Sequence, residues 1–200
     1  GKSEAPPKSE GPSEALFAPH DATETAPAEF RVRFETTKGD FVVKAMREWA
    51  PHGVDRLYNL VRIGYFDDCM IFRVMPGFVA QFGIHGDPDV SAVWTNARIE
   101  VDPVKVSNER GFLTFAQIGQ IGPASRTTQL FVNLKNNSSL DKQGFAPIGQ
   151  VVEGMEVVDQ FYSGYGNNID RRAFRALGNR YMKKEHPEMD IIRKATLITE

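Results

Sequence analysis

At 200 residues the chain suits one compact domain with appendages, because dividing it would leave two undersized cores, and 41% hydrophobic content with 14 Phe supplies one well-filled interior. A formal net charge of -2 offers no general attraction to nucleic acid or anionic lipid, and no apolar run approaches the roughly 18 residues a membrane span needs. The lone cysteine, Cys69, cannot form an internal disulfide and reads as a small core residue, while four dispersed histidines give no metal-ligand spacing. The start at Gly1 rather than Met suits either a processed precursor or an artificially trimmed chain; the first would lean to an exported or organellar protein after removal of a targeting peptide.

Residues 1–29 hold five of the twelve prolines and six acidic residues against two lysines, a composition expected to form a flexible tail unless a partner in an assembly holds it. The domain is expected to occupy 30–200. It opens with FRVRFETT, a turn at Lys38-Gly39-Asp40 and FVVKAM, two alternating runs that predict a hairpin. Behind Pro51, the residues Val54, Leu57, Tyr58, Leu60 and Val61 recur at helical spacing before Gly64, predicting an amphipathic helix over Ala50 to Ile63. Short β-rich runs follow at Met70 to Met75, Phe78 to Phe82, Phe112 to Ala116, Leu130 to Leu134 and Ile148 to Val152, a pattern of sandwiches and barrels. Met155 to Phe161 reads as a second helix and Ala195 to Thr199 as a closing strand. Between them, Arg171 to Lys194 has eight basic and three acidic residues, with Phe174, Leu177, Tyr181 and Met182 at near-helical spacing. This predicts a surface helix with a solvated charged face, a reading favoured over a site for an anionic partner, and it is the best local exception to the neutral charge balance.

The chemistry is sought in Ile71 to Gly83, IFRVMPGFVAQFG, two strands joined at Pro76-Gly77, the pair favoured in type II turns. With Pro76, Gly77 and Phe78 as the connection, Arg73 lies opposite Gln81, and Met75 and Val79 share their face. An arginine then projects from a largely apolar surface beside an amide; taken alone, the pair equally suits an arginine held by some carboxylate. The wider string shifts the reading, because FRVMPGFVAQFG closely resembles the signature of the cyclophilin family of peptidyl-prolyl isomerases. GFLTFA from Gly111, RTTQLFVN from Arg126, LDKQGFAPIGQVVEGMEVVD from Leu140 and the final ATLIT fall in family order, so the likeness runs from about Phe30 to Glu200.

The resemblance implies a mainly β fold, a closed antiparallel eight-stranded β-barrel capped by two α-helices, here with an extra C-terminal helical insertion. It puts Arg73 at the place of the catalytic arginine. Phe78, Val79, Gln81, Ala116, Gln129, Phe131 and Leu140 fall where family members line the substrate groove, with Phe78, Phe131 and Leu140 forming the slot for the proline ring. The implied activity is rotation about X-Pro bonds in proline-containing polypeptides, assisting folding, with no cofactor or metal.

Three departures stand out. QIGQI replaces the run that usually carries a peptide-binding asparagine, leaving Gln117 or Gln120 for that place. Ser139 stands where many members have tryptophan, and Phe145, where many have histidine, can still line the slot. Loss of the indole donor argues for weak binding of cyclosporin-type inhibitors. Insertions at His85 to Pro103, containing Trp94, and at Gly164 to Met189 are expected to be surface loops or a helix. The competing function is a cyclophilin-like binding or structural subunit, docked to an assembly through the tail, the insertions and the basic 171–194 segment.

Overall fold

Alternation of apolar side chains closes this chain on itself. The strands are β1 (Glu29–Thr36), β2 (Gly39–Met46), β3 (Cys69–Met75), β4 (Val79–Phe82), β5 (Phe112–Phe115), β6 (Leu130–Asn133), β7 (Pro147–Glu153) and β8 (Ile191–Ile198). In the computed structural model, which describes residues 12–198, they pair antiparallel in the order β1-β2-β7-β5-β6-β4-β3-β8, and β8 returns to β1. Val32, Phe34, Phe41, Val43, Phe82, Leu113, Phe115 and Ile148 come from five of these strands into one buried cluster. Closure leaves no free strand edge.

The helices are α1 (Pro51–Arg62), α2 (Pro88–Trp94), α3 (Met155–Val158) and α4 (Arg171–Glu185). α1 lays Val54, Leu57 and Leu60, all fully buried, on the barrel core. Its N-terminus needs help, because Ala50 has no side chain to accept from the free N–H groups. Asp102 reaches in instead, accepting from the backbone N–H of His52 at 3.0 Å and of Gly53 at 2.9 Å. The same carboxylate pairs with Arg126 Nη2 at 3.1 Å, and both side chains are only 1% exposed.

Several expectations change on contact with the fold. The second helix stops at Val158, giving one turn, because the chain bends there to bring Phe161 onto Phe41, with ring centroids 6.1 Å apart. β8 begins at Ile191, not Ala195, because a bulge opposite Glu35/Thr36 lets Arg193 and Lys194 both face solvent and interrupts the alternation. Thr199 lies outside the described residues. The insertion holding Trp94 forms the helix α2, one of the two forms expected, and Trp94 itself is buried in the core. In the basic helix, Gly178 at φ 71°, ψ -162° breaks the spiral. Phe174 and Met182 therefore point inward while Leu177, expected on the same stripe, is 55% exposed.

The proline-rich segment lies against the domain in its described part. Its first eleven residues lie outside the described part, but residues 12–28 are packed as a strap over α1 and α2. Leu16 and Ala26 are buried, and the Leu16 carbonyl accepts from Trp94 Nε1 at 2.8 Å. Asn59 on α1 exchanges two hydrogen bonds with the backbone of Glu24, and Asp55 accepts from the Ala26 N–H at 2.9 Å. Polar side chains on α1 and α2 supply what the segment's own composition lacks. Deleting residues 1–28 is therefore expected to cost about 2 to 3 kcal/mol and lower the melting temperature by about 5 to 10 °C, measured by calorimetry.

Candidate active site

The site lies on the outside of the barrel. Along β4 and β6, Ala80, Phe82, Leu130 and Val132 turn inward, so the alternate residues Val79, Gln81 and Phe131 turn outward. β3 adds Arg73 to that face. Ile71 pairs with Phe82 and Arg73 with Gln81, so two β3 residues oppose one on β4. This bulge lets Phe72 and Arg73 both point outward between the inward-facing Ile71 and Val74. The extra residue is Phe72, while Arg73 keeps the register with Gln81 that the hairpin sets. Arg73 opposite Gln81, and Met75 opposite Val79, match the hairpin expected from the sequence.

Arg73 Nη1 donates to Gln81 Oε1 at 3.1 Å, and Gln81 Nε2 donates to Gln129 Oε1 at 3.0 Å, so a relay of amides orients the guanidinium. Its carbon sits 5.7 Å from the centre of the Phe78 ring. Among the described residues no carboxylate pairs with it, and Nε has no partner. Partial burial, and next the charge of Arg171, lower its pKa from the ordinary arginine value. The carboxylate-held arginine considered from sequence is thus absent.

Beside Arg73 opens a pocket of about 190 Å³. Val79, Phe131 and Leu140 form its buried apolar floor, with Phe78, Ala116 and Phe145 packed around them. Phe145 meets Phe131 edge-on at 5.7 Å. Of the residues placed in the groove by the resemblance, Arg73, Phe78, Val79, Gln81, Ala116, Phe131 and Leu140 line this pocket, as does Phe145, whereas Gln129 holds Gln81 from behind and lines the adjoining depression. Gln117 lines both and ties the loop to the Gln143 carbonyl at 3.0 Å, whereas Gln120 is exposed in the turn beyond. Ser139 is exposed and lines neither.

Sequence reasoning missed two groups. Asn167 and Arg171, from the C-terminal insertion, also line the pocket; the basic run was visible, but not its reach over the groove. Beneath the rim lies a polar cluster. Asn137 Nδ2 donates to the Phe78 carbonyl at 3.0 Å and to Asn133 Oδ1 at 2.9 Å, while Asn108 Nδ2 donates to the Phe145 carbonyl at 2.9 Å and to Asp141 at 2.8 Å. Two aromatic rims of the pocket are thereby tied by buried asparagines. Burial raises the Asp141 pKa, but hydrogen bonds from Ser107 and Asn108 outweigh it, and the carboxyl ends below 3.8. A depressed folded-state pKa stabilises above the unfolded value and fades as pH falls through the folded one. Peptide affinity and stability are expected to decline together below about pH 4, with Asp141→Asn reducing the pH dependence of both in a fluorescence titration.

Comparison with known proteins agrees with this geometry. The family model described as cyclophilin type peptidyl-prolyl cis-trans isomerase/CLD matches residues 31–176. Peptidyl-prolyl cis-trans isomerase B of Escherichia coli is 28% identical over 84% of this chain and 99% of its own length. A probable peptidyl-prolyl cis-trans isomerase of Brucella abortus is 30% identical over 72% of this chain and 78% of its own. Among solved structures, a cyclophilin-type isomerase of Cryptosporidium parvum superposes with TM-score 0.64 at 18% identity, covering 86% of this chain and 99% of that one. Barrel order, an outward arginine beside an apolar slot and the family match converge: the chain is a member of the cyclophilin-type peptidyl-prolyl cis-trans isomerases.

Proposed function

We propose that the protein is a peptidyl-prolyl cis-trans isomerase that binds proline in the pocket of Phe78, Phe131, Leu140 and Phe145 and uses Arg73 to stabilise the twisted amide. The observation that carries this reading is a guanidinium without a carboxylate partner, oriented by Gln81 at the edge of an apolar slot.

Amide resonance makes rotation about the peptide bond cost about 18 to 20 kcal/mol, and X-Pro bonds isomerise over tens to hundreds of seconds unaided. Midway through rotation the prolyl nitrogen leaves conjugation and regains a lone pair. Only then can it accept a hydrogen bond, so a donor fixed beside it favours the transition state over either planar isomer. Arg73 Nη1 is committed to Gln81, which leaves Nη2 free to approach the nitrogen. The apolar slot excludes water around that contact and strengthens it. No bond is made or broken, and the reaction as derived asks nothing further of a nucleophile.

Phe78 and Phe145 meet the ring through their side chains while their carbonyls are held by Asn137 and Asn108, so the slot is rigid before the peptide arrives. The test is exchange spectroscopy on a short Ala-Pro-containing peptide. The wild-type protein is expected to bring cis-trans exchange into the sub-second range; exchange unchanged from peptide alone would point to the binding-subunit reading.

A further inference from the structure

Next to the proline pocket the groove opens into a second depression of about 390 Å³. The two share Gln81, Ala116, Gln117 and Arg171, so an extended peptide crossing one reaches the other within about two residues, at about 3.3 Å per residue. The outer wall of the second is built by both insertions: Ser91, Trp94 and Thr95 at α2, and Arg171 and Arg175 on the first turns of α4.

The charge on this wall is one-sided. Among the described residues no aspartate or glutamate lines either depression. Among the described residues none of Arg73, Arg171 and Arg175 forms an ion pair. Nor is the wall loose. Asp170 caps α4 through the Ala173 N–H at 3.0 Å, and Phe174, fully buried, packs edge-on against Phe72 at 6.0 Å. The Arg171 guanidinium lies 5.4 Å from the centre of the Phe72 ring and donates to Asn167 at 3.2 Å. Arg175 follows at i+4 on the same side, where like charges repel. In a chain of net charge -2, three cations held together with no anion among them leave a gap that a ligand's negative charge fills.

We propose that Arg171 and Arg175 make the groove selective for peptides carrying an anionic side chain, carboxylate or phosphate, within about two residues of the proline. The inference rests on the isomerase reading only in assigning the neighbouring pocket to proline.

The test measures affinity, by NMR titration, for a set of proline peptides that differ in having Asp, Asn or phosphoserine at each position flanking the proline. At one or more positions, Asp peptides are expected to bind about three- to tenfold tighter than their Asn isosteres, an advantage that shrinks at about 0.5 M salt. A phosphoserine advantage well beyond that of Asp would identify phosphate as the natural anion; parity would identify carboxylate. The advantage should vanish in R171Q/R175Q and shrink in R175Q, whose exposed side chain can change without disturbing the fold, yet survive in K183Q/K184Q at the far end of the helix. Equal affinity for Asp and Asn peptides in the wild type, or an advantage that persists in R171Q/R175Q, overturns the inference. Exchange rates recorded on the same samples report separately on catalysis, so loss of isomerisation without loss of the anionic preference would count against the isomerase reading alone.

Discussion

Arg73→Ala is expected to lower kcat/KM for prolyl isomerisation by about 10² to 10³-fold, the usual cost of removing one preorganised donor from a transition state. The fold should survive it, because Arg73 is only partly buried and its hydrogen bond is to Gln81 on the neighbouring strand. Affinity for the ground-state peptide should fall far less than the rate, since neither planar isomer offers the nitrogen lone pair that the guanidinium meets. Arg73→Lys should recover little. An ammonium is a point charge on a flexible stem, and it cannot keep one nitrogen on Gln81 while presenting another to the substrate. Gln81→Ala should fall between, its loss seen mainly in kcat because the arginine remains but is no longer oriented.

Asp102→Ala should give the largest loss of stability, about 3 to 5 kcal/mol, or roughly 10 to 15 °C in melting temperature. One carboxylate does two jobs at almost complete burial. It accepts the first N–H groups of α1 and neutralises Arg126, which donates through the same Nη2 to the Glu100 carbonyl and whose Nη1 already lacks a partner. Removing it leaves a buried cation unpaired and a helix end open. Asp102→Asn keeps the size and one acceptor, so its cost should be smaller. The double variant Asp102→Leu with Arg126→Met should recover part of the loss, because deleting both charges spares the fold an orphan. Thermal unfolding of the three variants distinguishes the ion pair from the cap.

Much of this fold could be read from periodicity. The β3–β4 hairpin, the facing of Arg73 and Gln81, and the inward stripe of α1 all follow from apolar spacing, which responds to one local variable: whether a side chain faces the core. Features that periodicity cannot carry were the ones missed. A bulge looks like ordinary sequence, so the outward turn of Phe72 beside Arg73 was not visible. Gly178 inside a basic helix gave no hint that it would divide Phe174 and Met182 from Leu177. The strap over residues 12–28 has few apolar groups of its own, and the partners that hold it, Trp94, Asn59 and Asp55, are 29 to 78 residues away in sequence. Trp94 itself sat in a segment without repeat, so its burial was not visible. In the site, the residues carried over from the family likeness meet in one groove, while Asn167 and Arg171 entered it through an insertion for which that likeness had no template.

The most direct measurement is a crystal structure with a bound Ala-Pro-containing peptide. The proline ring is expected on Phe131 and Leu140, flanked by Phe78 and Phe145, with Arg73 Nη2 within hydrogen-bond reach of the prolyl amide and Gln81 still accepting from Nη1. A proline seated away from Phe131, or a guanidinium turned from the prolyl bond toward a carboxylate, would contradict the account.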